Sequence, residues 1–207
     1  MKTKEIILDF GSGNTCLNDD DIIKEMYNEL KKIDSGKTKI TIKWQLFKSA
    51  GLNIPLEMDK FDLAYRYGKY LGYNVTASVF DIESLKFLLN YNIPFVKIAN
   101  NKSLHSLIKH IPKNIDVYIS SYKYSYSVDF KRRVTHLWCV SNYPAYRKEY
   151  EDLGMLRGDN ISDHTTTFEL YDIYKPGIIE WHYKLKNTTG LDSGEFARTP
   201  EQLKEIM

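Results

Sequence analysis

The sequence predicts an α/β fold in which a parallel sheet closes into a (β/α)8 TIM barrel. Three observations predict it. Eight short runs rich in β-branched and aromatic residues recur along the 207 residues. Helical patterns or turn residues separate most of them, and no hairpin signal joins any two, which argues for parallel pairing. The length also suffices, because such barrels start at roughly 200 residues. A chain this short leaves little for the helices, and they are expected to be trimmed in the second half. An open doubly wound sheet is the alternative, but Gly11-Ser12-Gly13 lacks the third glycine of a dinucleotide fingerprint.

The elements follow in order. The first run is 6–10, carrying Asp9. Asp19 or Asp20 can cap a helix over 22–30, whose apolar positions 22, 23, 26, 27 and 30 fall on one face. The second run, 40–44, carries Lys43 and is followed by a helix over 59–71, with Gly72 as its stop. The third run is 74–78, then a helix over 81–90, then the fourth run at 95–99 with Lys97. The fifth run is 117–120. The segment 121–135 has no apolar face; its Tyr122-Lys123-Tyr124-Ser125-Tyr126-Ser127 stretch reads as a loop with stacking capacity, and Lys131-Arg132-Arg133 as a solvated turn. The sixth run is 136–140 and the seventh is a weak one ending at Ile161. Residues 168–174 are long enough for about two helical turns, and 178–181 forms the eighth run.

Composition narrows the function classes. Twenty-nine basic residues against 27 acidic ones leave a net charge of +2, too little for a nucleic-acid or membrane surface. Hydrophobic residues at 43% and charged residues at 27% are ordinary for a soluble globular protein. Cys16 and Cys139 are too few and too isolated for a disulfide framework or a thiolate metal site, so a reducing, cytoplasmic setting is expected. Only five apolar-rich residues precede Gly11, so neither a signal peptide nor a membrane span is expected there. The expected organisation is a single domain over 1–207.

In a (β/α)8 barrel the C-terminal strand ends form the functional face. Those ends carry Asp9, Lys43 with Gln45, Ser78, Lys97 with Asn100, Ser120 with Ser121, and Ser141 with Asn142 and Tyr143. The last two carry Ser162-Asp163-His164 and Glu180 with His182. His164 and His182 are 18 positions apart with a short helix between them, a geometry that can hold one divalent metal; the plainer reading is two unrelated histidines. A lysine near a strand end is expensive to bury without an anion. Lys43 and Lys97 therefore fit either a phosphate or phosphoenol cradle with the strand-end serines, or a structural network with Asp9 or Glu180.

Seven short motifs, in order, resemble those of the N-acetylneuraminate (sialic acid) synthase family over about residues 5–207. Ile42-Lys43-Trp44-Gln45 resembles V-K-x-Q, Ala77-Ser78-Val79-Phe80-Asp81 resembles S-T-P-F-D, and Ile93-Pro94-Phe95-Val96-Lys97-Ile98-Ala99 resembles V-P-A-Y-K-I-A/G. Cys139-Val140-Ser141-Asn142-Tyr143-Pro144-Ala145 resembles C-V-S-x-Y-P-A, Ser162-Asp163-His164-Thr165 is S-D-H-T, and Ile179-Glu180-Trp181-His182-Tyr183 resembles I-E-x-H-F. Gly190-Leu191-Asp192 with Thr199-Pro200-Glu201-Gln202-Leu203 resembles G-P-D and a closing x-P-x-x-L.

The resemblance implies condensation of phosphoenolpyruvate with an open-chain N-acetylated amino sugar of the N-acetylmannosamine type, releasing phosphate. It implies that Lys43, Ser78, Lys97, Ser141 and Ser162 hold the phosphoenolpyruvate anion. It further implies that His164 and His182 bind Mn2+ or Mg2+, and that Tyr143 and Asp192 contact the sugar. Gln45 and Asn100 fall at matching substrate-side positions, and Asp9 stands where the family has a glutamate that positions a water. The family pairs as dimers through this barrel and its C-terminal domain, so the resemblance leaves the oligomeric state open, with a homodimer as one outcome. Departures accompany the matches. Asp9 is shorter than that glutamate by roughly 1.5 Å, about one carbon–carbon bond. Lys102 stands where a glutamate grips the amino sugar, and Asn100 and Ser121-Tyr122 replace a serine and a threonine-glycine. The family's C-terminal antifreeze-like domain, with its arginine, is not expected within 1–207; Arg198 is a candidate substitute. The alternative function is a barrel of altered specificity, or one without turnover, that binds a sugar or a phosphoenolpyruvate-like anion.

Overall fold

The computed structural model describes residues 3–48, 52–122, 133–188 and 190–207. Eight parallel strands close in sequence order: β1 (Glu5–Gly11), β2 (Lys39–Leu46), β3 (Asn74–Val79), β4 (Phe95–Ile98), β5 (Asp116–Ser121), β6 (Val134–Trp138), β7 (Ile161–Asp163) and β8 (Ile178–His182), with β8 pairing back onto β1. This is the (β/α)8 barrel that the sequence predicts, with every strand within a few residues of its expected place.

The helices between the strands are α1 (Gly13–Cys16), α2 (Asp20–Ile33), α3 (Met58–Tyr70), α4 (Ile82–Leu88), α5 (Arg147–Glu151), α6 (Glu169–Tyr174) and α7 (Pro200–Leu203). A 3-10 segment, Lys102–His110, follows β4. The long helices lie where periodicity puts them. Asp19 caps α2 by accepting from the Asp21 and Ile22 amides at 2.8 and 3.0 Å. Asp81 and Ser84 cap α4 reciprocally, and α3 stops before Gly72, whose φ of +92° suits glycine. Of the short elements, α6 falls within the expected 168–174 segment, whereas α1, α5, α7 and the 3-10 segment are not expected from the sequence, because so few turns give too little periodicity to detect. The tyrosine-biased stretch beyond Tyr122, and Lys131 and Arg132 of the basic cluster, lie outside the described residues.

Strand alternation divides the core in two. Outward residues such as Leu8, Ile42 and Val75 pack with Ile23, Met26, Tyr27 and Leu30 of α2 and Phe61 and Ala64 of α3. Trp44 Nε1 donates to the Tyr27 hydroxyl at 3.1 Å, and Phe10 stacks on Tyr183 at 4.5 Å. Inside the barrel, Ile7, Phe95, Tyr118 and Leu137 form a separate apolar cluster, with Phe95 stacked on Tyr118 at 3.8 Å. Above that cluster the same strands carry polar residues at the upper, C-terminal end of the barrel, while at and below its level Glu5 accepts from Thr41.

Candidate active site

The inward parity of each strand delivers the polar groups. Asp9 pairs in register with Lys43 on one side and His182 on the other; Ser78 pairs with Gln45 and with Lys97; Ser162 pairs with Glu180. These residues line a cleft of about 640 Å³. Asp192 joins them from the loop after β8, held where two glycines permit close approach. A Cβ on Gly11 (φ +75°) would meet Thr15 Oγ1 at 2.2 Å and Asp192 Cβ at 3.0 Å, and one on Gly190 (φ +126°) would meet the Asn14 carbonyl at 2.4 Å. Ser12 Oγ then donates to Asp192 Oδ2 at 3.1 Å. The same loop is anchored from below by Lys184, whose Nζ donates to the Ser193 and Gly194 carbonyls at 2.8 and 3.0 Å.

Two lysines and two carboxylates form the floor of the cleft, all nearly inaccessible to water. Lys43 Nζ lies 2.6 Å from Asp9 Oδ2 and 3.4 Å from Glu180 Oε1. Lys97 Nζ reaches across the barrel to Glu180, at 3.2 Å from Oε1 and 3.1 Å from Oε2, and donates to Ser120 Oγ at 2.8 Å. Ser162 Oγ donates to the same Glu180 Oε1 at 3.1 Å. Burial acts to raise the Glu180 pKa, but Lys43 and Lys97 together outweigh it and hold the carboxyl well below its usual range. For Lys43, burial acts downward and is overcome by Asp9 and Glu180, leaving the ammonium above its ordinary value. Lys97 ends below its ordinary value: burial dominates the attraction of Glu180, and Lys43 adds repulsion. Asp9 also accepts from Gln45 Nε2 at 2.9 Å and from the Gly11 amide at 3.0 Å.

Beside this floor stand the two histidines, with ring centroids 5.4 Å apart. His164 Nδ1 lies 2.9 Å from the Val140 carbonyl, which can only accept; Nδ1 therefore carries the proton and Nε2 keeps its lone pair. Burial, reinforced by His182, pushes the His164 pKa well below its ordinary value, so the ring is neutral near pH 7. His182 Nδ1 is buried without a hydrogen-bond partner, 3.6 Å from Asp9 Oδ2. Tyr143 stacks on His164 at 4.0 Å, and Phe196 packs edge-on against His182 at 5.0 Å. Among the described residues, no three or more His, Cys, Asp or Glu side chains gather as a metal-holding group.

Of the residues singled out from sequence, Asp9, Lys43, Gln45, Ser78, Lys97, Asn100, Tyr143, Ser162, His164, His182 and Asp192 converge on this cleft. Ser141 does not. It is exposed at the rim, where its hydroxyl accepts from Asn100 Nδ2 at 3.1 Å, and Ser120 takes the place beside Lys97. Arg198 does not stand in for the arginine of the C-terminal antifreeze-like domain. It is fully buried, 3.6 Å from Asp163, with its guanidinium 4.8 Å over the Phe168 ring, and so fastens the C-terminal segment to the outside of the barrel. Lys102 is exposed at the start of the 3-10 segment, 5.9 Å over the Tyr122 ring, and does not line the cleft. The two readings of the lysines also meet: Lys43 and Lys97 do pair with Asp9 and Glu180, and they do so on the floor of a cleft. Glu180, which the sequence marks as one of two possible anions for the lysines, takes both of them together with Ser162, and it shares strand parity with His182.

The ionisable groups gather at the C-terminal strand ends, where (β/α)8 barrels carry their functional residues. No family model matches the chain, and no curated protein matches it. Solved structures do share its fold. A sialic acid synthetase from Leptospira borgpetersenii serovar Hardjo-bovis, in complex with citrate, superposes with a TM-score of 0.76 at 20% identity over 99% of this chain and 81% of its own. A putative spore coat polysaccharide biosynthesis protein E from Chromobacterium violaceum gives 0.75 at 14% identity, covering 98% of this chain and 72% of that one. A spore coat polysaccharide biosynthesis protein from Bacillus subtilis gives 0.77 at 18%, covering 99% and 66%. At these identities the likeness establishes the shared fold. The first of the three is a protein of the kind that the sequence motifs resemble. No helix among the described residues is long and apolar enough to cross a membrane.

Proposed function

We propose that the chain is a sialic-acid-synthase-type enzyme that condenses phosphoenolpyruvate with an open-chain N-acetylated amino sugar and releases phosphate. The observation that carries this reading is the convergence of Lys43, Lys97, Ser78 and Ser162 beside two imidazoles at one barrel mouth. Buried cations with hydroxyls suit a small polyanion, and the Ser78 hydroxyl supports this directly: it is buried, aimed into the cleft and without a partner.

His164 and His182 fit a divalent metal as a pair of protein ligands. The His164 tautomer is set by Val140, leaving Nε2 free, and Asp9 and Asp192 would give a hard, anionic surround that suits manganese or magnesium. Such an ion supplies Lewis-acid polarisation of the sugar carbonyl. The protein groups do the rest. Lys43, Lys97 and the serines hold the phosphoenolpyruvate so that its methylene carbon faces the aldehyde carbon. Gln45, Tyr143 and Asp192 orient the sugar, and Asp9, fixed by Lys43 and Gln45, orients the water that adds to the central carbon as phosphate departs from it.

The test is incubation with Mn2+, phosphoenolpyruvate and a panel of N-acetylated hexosamines, with phosphate release and product mass measured together. Stoichiometric phosphate and a nonulosonic acid are expected from one of them; no release with any aldose refutes the proposal. The exposed position of Lys102 favours a second reading of the acceptor, in which the chemistry is the same but a different aldose is taken, and the product mass decides between them.

A further inference from the structure

Resting on that reading of the cleft, we infer that Glu180 is an internal counter-anion: its carboxylate fills the lysine cradle and gives up Lys43 and Lys97 when the substrate anion enters. Glu180 Oε1 collects three donors from three different strands, Lys43 at 3.4 Å, Lys97 at 3.2 Å and Ser162 at 3.1 Å. Three convergent donors on one oxygen form a seat for an oxygen of a small anion, and they are the groups proposed to bind phosphoenolpyruvate. The seat is taken by the protein itself. A second observation shows that a ligand is still wanted there. Ser78 Oγ, on a residue 1% exposed and paired in register with Lys97, has no partner while its neighbours are engaged.

The arrangement answers a physical problem. Two buried lysines need anions when the site holds no substrate, since unpaired buried charge is strongly unfavourable. Asp9 and Glu180 meet that need and bring the four groups to formal neutrality. A substrate anion arriving with several negative charges then gains little from the lysines until Glu180 releases them. Two like charges about 5 Å apart at an effective dielectric of about 20 correspond to a few hundredfold in affinity. Glu180 thus lowers intrinsic anion affinity and reserves tight binding for an anion that enters with a compensating cation.

The experiment is calorimetric titration of phosphoenolpyruvate into the whole chain with EDTA present, for the wild type and Glu180→Gln. The amide keeps the shape and one acceptor but not the charge. At least tenfold tighter metal-free binding by folded Glu180→Gln is expected; equal or weaker binding overturns the inference, because a purely structural carboxylate would lose lysine positioning instead. Should that variant not fold, a crystal structure of the wild type soaked with phosphoenolpyruvate and Mn2+ decides. Both Lys97–Glu180 contacts are expected to open beyond about 4 Å, with a ligand oxygen in their place, and an intact pair in the liganded protein overturns the inference. Failure of the wild type to bind phosphoenolpyruvate even with Mn2+ sinks the phosphoenolpyruvate reading and this inference together, whereas binding with Glu180 unmoved sinks this inference alone.

Discussion

Replacing Lys97 by methionine should destabilise the protein, and removing Glu180 as well should restore much of the loss. Lys97 keeps its ammonium almost entirely out of water, against both oxygens of Glu180 at 3.1 and 3.2 Å. Methionine retains most of the side-chain length and none of the charge. Removing one partner of a buried pair costs about 3–5 kcal/mol because the other charge is left uncompensated. Here Glu180 would keep Lys43 at 3.4 Å and Ser162 at 3.1 Å, which places the expected cost near the lower end, about 3 kcal/mol. In a chain of this size each kcal/mol shifts the melting temperature by about 2–4 °C, so a fall of roughly 6–12 °C follows. The assay is thermal and urea unfolding of wild type, Lys97→Met, Glu180→Gln and the double variant, read as a double-mutant cycle. The double variant should regain at least half of the single variant's loss. A Lys97→Met protein melting within 2 °C of wild type, or a double variant with additive losses, would show that the pair carries no such coupling.

Other consequences can be checked separately. His164→Ala and His182→Ala should each weaken Mn2+ binding at least tenfold in calorimetry; stoichiometric, undiminished binding in either would remove that residue from the metal site. Arg198→Met should lower stability by about 3 kcal/mol in urea by stranding Asp163, and a neutral effect would contradict its burial against that carboxylate. Burial pushes the Cys16 thiol from 9.0 up to about 11. The folded state therefore holds that proton more tightly than the unfolded chain, and its contribution is complete below pH 9 and lost as pH rises towards 11. About 2 kcal/mol should disappear between pH 8 and pH 10.5, less steeply in Cys16→Ala, and identical pH profiles for the two proteins would refute the assignment.

The parts of this molecule legible in its sequence are those where strand alternation does the placing. Asp9, Lys43, Lys97 and His182 interrupt apolar strands at inward positions, and a polar group there has nowhere to go but the barrel mouth. The same rule separates Ser120, which turns inward to Lys97, from Ser121, which turns outward to His136. It fails one step beyond a strand. Ser141 lies three residues past the end of β6, where no pleat fixes its direction, and it turns to the rim. The place of Arg198 is hidden for a related reason: its partner Asp163 is 35 positions away, on the outward face of β7, and only the fold brings them together. Glu180 is legible as one possible anion for the lysines, but that it takes both Lys43 and Lys97 at once depends on strands β2 and β4 meeting β8 inside the barrel, which no sequence pattern records. This division has a functional consequence. On the proposed reading, the anion side of the cleft is borne by strands and the acceptor side by two loops: Asp192 and Phe196 lie on the one held at Gly11, Gly190 and Lys184, and Tyr143 lies on the one after β6. Substitutions in those loops can change which acceptor fits without disturbing the lysine cradle, so acceptor choice is the property most open to change in a barrel of this kind.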